Sequence, residues 1–125
     1  MMLTHVTLGT TNLERAGDFY DFVLEPLGLK RLVTLEKVLG WGTDVPQLMV
    51  LYPRNGEIAT AGNGVTVGLS APNRAAVAEF HRRALALGAV DEGMPGPRTF
   101  APDAYAAYVR DLDGHKIVAS CRKLG

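Results

Sequence analysis

At 125 residues, with 13 basic side chains balanced by 13 acidic ones, the chain has single-domain size and can bury a core without disulfides or a structural metal. Balanced charge and a sequence pI of about 6.8 leave no electrostatic footprint for nucleic acid or an anionic membrane surface, and no apolar run approaches the roughly 20 residues a membrane span needs. One cysteine, Cys121, and no basic-then-apolar leader pattern point to the reducing cytoplasm, with Cys121 a small buried residue of the last strand.

In chain order, Leu3 to Thr10 alternate, with Thr4, Val6 and Leu8 on one face and Leu3, His5 and Thr7 on the other, the period of a strand. Thr11 and Glu14 make a capping-box pattern, and Leu13, Ala16, Tyr20, Val23 and Leu24 then recur at helical spacing. Pro26 and Gly28 stop that helix. Three extended segments follow, Leu29 to Leu35, Val38 to Gly42 and Gln47 to Tyr52, and then a glycine- and proline-rich link, Pro53 to Gly64, expected on the surface and mobile.

The second half opens with alternating Val65 to Ser70. Asn73 can cap a helix whose apolar stripe is Val77, Phe80, Ala84 and Leu87. After Gly88, the run from Glu92 to Asp103 reads as a poor strand and a good loop, and its Gly93 to Asp103 part either acts as a lid, with Phe100 at its tip, or simply connects. Tyr105 to Arg110, a turn at Asp111 to Gly114, and Lys116 to Cys121 form a closing hairpin.

The two halves repeat each other. HVTLGTTNLERAGDFY laid over TVGLSAPNRAAVAEFH matches Leu8 with Leu69, Asn12 with Asn73 and Phe19 with Phe80, and Gly28 answers Gly88 after one residue of slippage. Two copies are too few for a solenoid. The reading is one α+β domain of two βαβββ modules, residues 1–55 and 64–125.

A duplicated unit of this kind, opening with the histidine strand and the TNLERAGDFY helix and closing with DLDGHKI, resembles the vicinal oxygen chelate superfamily of glyoxalase I, bleomycin-resistance and extradiol-dioxygenase proteins. The resemblance covers nearly the whole chain. It implies strands curling into a mixed sheet around a cavity, a lyase or dioxygenase activity, a homodimer in which halves can pair across chains, and a metal held by one ligand from each of four strands. The matched positions are His5, Met49, Thr66 and Val118, where relatives carry histidine or glutamate at the last two. Valine offers no donor, a neutral threonine hydroxyl is a weak one, and a thioether suits soft ions, so no metal and no cofactor are expected at this set.

What remains is a scaffold that binds a small, mostly apolar organic molecule. His5 is either a hydrogen-bonded group of the cavity wall, with Thr66 or water as its partner, or a base or donor toward the bound molecule. Strand parity puts Thr66, Gly68, Ala106, Tyr108, Arg110, Val118 and Ser120 on the wall that His5 shares. Trp41, between two glycines, either stacks on a ligand or packs in the core. Arg110 either holds an anion or pairs with Asp111 or Asp113. Two rival readings are a metal-dependent lyase or dioxygenase with replacement ligands, such as Glu36, Glu57 or Asp103, and a dimeric scaffold with a filled cavity. His81 and His115 repeat no metal-ligand spacing, and no nucleophile elbow, phosphate loop or dinucleotide fingerprint occurs.

Overall fold

The computed structural model describes residues 2–122. The first module holds β1 (Val6–Gly9), α1 (Leu13–Leu24), β2 (Lys30–Thr34), β3 (Val38–Gly42) and β4 (Pro46–Leu51); the second holds β5 (Thr66–Ser70), α2 (Arg74–Ala86), β6 (Val90–Pro97), β7 (Tyr105–Arg110) and β8 (Lys116–Cys121). Each module makes its own four-stranded mixed sheet, ordered β1-β4-β3-β2 and β5-β8-β7-β6. In each, the first strand runs parallel to the last and the other pairs are antiparallel. Both halves therefore share one element order, as the repeat requires.

One face of each sheet carries a helix, and the core lies between them. From the first sheet Leu8, Leu39, Trp41, Leu48 and Val50 pack with Ala16, Phe19, Tyr20 and Val23 of α1; from the second Val67, Ala107, Val109, Ile117, Ala119 and the buried Cys121 pack with Val77, Phe80 and Ala84 of α2. The alternation follows from the two-residue period of strands. Leu87, expected in the apolar stripe, is the C-cap of α2 and is exposed instead. Among the described residues no helix is long and apolar enough to cross a membrane.

Three local readings need correction. The N-cap of α1 is Asn12, whose side chain accepts from the Arg15 amide at 3.0 Å, and not Thr11. Thr11 is taken up by Asp113, to which both its amide and its hydroxyl donate, while Asn12 repeats the role of its match Asn73 in α2. The helix does end around Pro26: its last residue is Leu24, and Pro26 lies in the 3₁₀ turn that follows (Glu25–Leu27), with Gly28 left-handed at φ 80°.

The second correction concerns Glu92 to Asp103, whose first half is strand β6 and not loop. It tolerates Pro95 and Pro97 because it is the outer edge of its sheet and its pairing with β7 slips register twice. Gly93 and Gly96 leave a slot under β6 that the Arg98 guanidinium fills, donating to the carbonyls of Met94, Gly96 and Pro97. The third is Arg110, which pairs with Glu92 at 3.1 Å and donates to the Gly114 carbonyl, because Asp111 and Asp113 both turn toward the first module. The link from Pro53 to Gly64 is mostly exposed, and Ala59 and Ala61 approach Gly9 and Gly114.

Candidate functional site

β1 and β5 are both edge strands, and they face each other across a seam between the modules. One end of the seam is tied shut. His115 Nε2 donates to the Gly9 carbonyl at 2.7 Å, Thr10 Oγ1 donates to Asp113 at 2.6 Å, and the buried Tyr20 hydroxyl donates to Asp111. Asp111 in turn accepts from the amides of Asp113 and His115, which shapes the DLDGH turn. Burial, and then the carboxylate of Asp111, hold the Tyr20 phenol well above its ordinary pKa. Since Thr66 pairs with Lys116, next to His115, the end of β1 lies beside the start of β5, and the two strands run in opposite senses.

The repeat explains why the other end is open. Thr10 corresponds to Ala71, by the spacing that matches Leu8 with Leu69. Met49 lies opposite Thr7 and Val118 opposite Gly68, so these two occupy equivalent stations; past the bulge at Gln47, Pro46 pairs with Gly42 as Lys116 pairs with Arg110, and Val45 stands where the second module has His115. By the same register Gly40 answers Tyr108, and three residues on Thr43 answers Asp111. Alanine has no hydroxyl and valine no imidazole, so the bonds that close one end have no counterpart at the other.

A cleft of about 510 Å³ occupies that open end. Its walls are largely apolar, with Leu3, Leu27, Leu29 and Leu48 from the first module and Val67, Leu69 and Pro72 from the second; the polar points are His5, Thr43, Gln47 and Ser70. Trp41 closes the floor at 0% exposure, its Nε1–H donating to Asp21 at 2.9 Å and its ring tilted against Tyr20. His5 lies at the mouth, just before β1, exposed, with its Nδ1 3.0 Å from the Thr4 hydroxyl. Thr66 is not its hydrogen-bond partner.

Of the residues singled out in the sequence, the cleft brings together His5, Trp41 and Gly68. It does not include Met49, Thr66, Phe100, Tyr108 or Val118. Thr66 stands at the tied end of the seam. Met49 fills the space that Gly40 leaves on the face of the first sheet away from α1. Tyr108 and Val118 are paired neighbours on the corresponding face of the second sheet, where Tyr108 is flanked by Arg98 and Lys116, 5.6 and 5.3 Å from its ring centroid. Phe100 is at the tip of an exposed loop, 54% open to solvent. The face shared by Gly68, Tyr108 and Val118 follows the expected parity, and of these three Gly68 alone also lines the cleft with His5.

Gln47, Ser70, Thr43, Leu27 and Leu29 line the cleft without having been anticipated. For Gln47 a signal existed: it lies two residues before Met49 on β4, one pair before the Val6–Leu48 pairing, and so beside His5. The other two histidines are structural. His115 ties the seam, and His81, buried on α2, holds Asp91 at 2.9 Å and keeps that carboxyl below its ordinary pKa.

The four matched positions do not fit a divalent metal. Their donors are one imidazole, one thioether, one hydroxyl and none from Val118, and His5 and Thr66 stand at opposite ends of the seam. Among the described residues no three histidine, cysteine, aspartate or glutamate side chains are grouped so as to hold an ion.

The chain is similar to a glyoxalase/bleomycin resistance protein from Albidiferax ferrireducens T118, with 35% identity, a TM-score of 0.90, and 98% of this chain and 100% of that one covered. It shares its fold with a glyoxalase/bleomycin resistance protein/dioxygenase family enzyme from Burkholderia phytofirmans PsJN (16% identity, TM-score 0.72, 94% and 95% covered). The same holds for the fosfomycin resistance protein FosX from Mesorhizobium loti (17% identity, TM-score 0.68, 98% and 92% covered). No protein-family model and no curated protein matches the sequence.

Proposed function

Because the chain belongs to the glyoxalase/bleomycin resistance family, we propose that it binds a small, largely apolar organic molecule in the cleft between its modules, with His5 meeting the molecule's polar atom. The observation that carries this reading is the cleft itself, about 510 Å³ with a mostly apolar wall and a few polar groups converging on it, which is the make-up of small-molecule sites. An imidazole can give or take a proton in neutral solution. His5 could therefore move a proton on the bound molecule without a metal, and sequestration would need only the cleft.

Isothermal titration with a panel of small aromatic alcohols, ketones and amides tests this. At least one should bind, and His5→Ala should weaken it about tenfold, a loss of about 1.4 kcal/mol. Binding indifferent to His5→Ala removes His5 from the account, and a panel without a binder removes the reading. We also propose a homodimer, as the family resemblance implies.

A further inference from the structure

We propose that the ligand of this cleft carries no net charge and is hydrogen-bonded from both modules at once, by His5 and Gln47 on one bank and Ser70 on the other; this rests on reading the cleft as a binding site. Among the described residues its lining contains no carboxylate, ammonium or guanidinium. A charged ligand drawn into such a wall would lose its hydration without gaining an opposite charge. The formal charges near the seam are used elsewhere: Asp111 and Asp113 tie its closed end, and Arg98 and Lys116 flank Tyr108 outside the cleft.

The polar groups that do face the cleft favour a neutral partner. Gln47 offers an uncharged donor and acceptor and Ser70 a hydroxyl, while the indole of Trp41, its N–H already given to Asp21, presents only an apolar ring. A molecule with an apolar body and polar groups toward both banks satisfies all of these. Such a ligand bridges two modules that have no strand pairing between them.

Trp41 is the only tryptophan in the chain, so its emission reports on the cleft floor. Its titration at pH 8 with 4-phenylbutanamide, 4-phenylbutanoate and 4-phenylbutylamine compares three bodies of one shape and different charge. The amide should bind at least about tenfold more tightly than either ion. Ser70→Ala should weaken the amide by about threefold or more, and Gln47→Glu should shift the preference toward the amine. An ion that moves Trp41 emission at the same concentration as the amide overturns neutrality alone, and an amide indifferent to Ser70→Ala overturns the two-bank contact. If none of the three moves Trp41 emission and calorimetry records no heat, the binding reading falls and takes this inference with it.

Discussion

Tyr20 shows how one residue can serve two modules. It is buried on α1, and its hydroxyl donates across the seam to Asp111. With the folded pKa raised above the ordinary phenol value, the fold favours the protonated form. Its contribution is complete below the unfolded value of about 10 and is lost as pH climbs through the folded value. Melting curves should therefore fall away above about pH 10, and Tyr20→Phe should show a shallower alkaline decline. At neutral pH the same substitution should cost about 1–3 kcal/mol in urea unfolding, because an Asp111 oxygen loses its donor; an unchanged midpoint would mean the bond contributes nothing. None of this was legible from Tyr20 itself, which reads as one more apolar position of a helix stripe. His5 and Trp41 were recognisable by type, but whether an indole between two glycines stacks on a ligand or packs in the core depends on Asp21, twenty residues away in sequence.

The elements were easier to read, and the misreadings have local causes. Alternation and helical spacing located both helices and most strands, because burial on one side leaves a periodic trace. β6 left none: its glycines and prolines make slots and bulges at a sheet edge, and that chemistry also describes a loop. The capping pattern at Thr11 was real as a pattern, but a partner on the other module claimed the hydroxyl. Asp113 accepts from the Thr10 and Thr11 hydroxyls, the Thr11 amide and the Arg15 guanidinium, so it fastens the start of α1 to the β7–β8 turn. Asp113→Ala should accordingly destabilise by about 2 kcal/mol or more, since these are hydrogen bonds to a charged acceptor, with Asp113→Asn intermediate. Urea midpoints at constant m value would measure both; a midpoint within error of the parent would remove Asp113 as a fastening.

At the scale of the molecule, duplication was the strongest signal, and it correctly set the order of elements in both halves. It could not show how the halves meet, because the seam depends on differences between the copies, Thr10 against Ala71 and His115 against Val45, that look like ordinary drift in a sequence. The same seam bears on assembly. Within one chain the cleft takes its lining from both modules but includes His5 alone of the four matched positions, so the homodimer proposed above, and not the single chain, would have to bring the four together. The outer edge of the second sheet is also suited to a partner: β6 lacks a strand on one side, and Met94 on it and Phe100 beyond it are 67% and 54% exposed. Light scattering on the eluting protein at micromolar concentration should give twice the 13.4 kDa of one chain. Met94→Glu combined with Phe100→Glu should move the mass toward a single chain if this edge forms the contact, with melting of the separated chains showing that they remain folded. A dimer that survives the double substitution would place the contact on another surface, and a single-chain mass for the parent protein at every concentration would refute the homodimer.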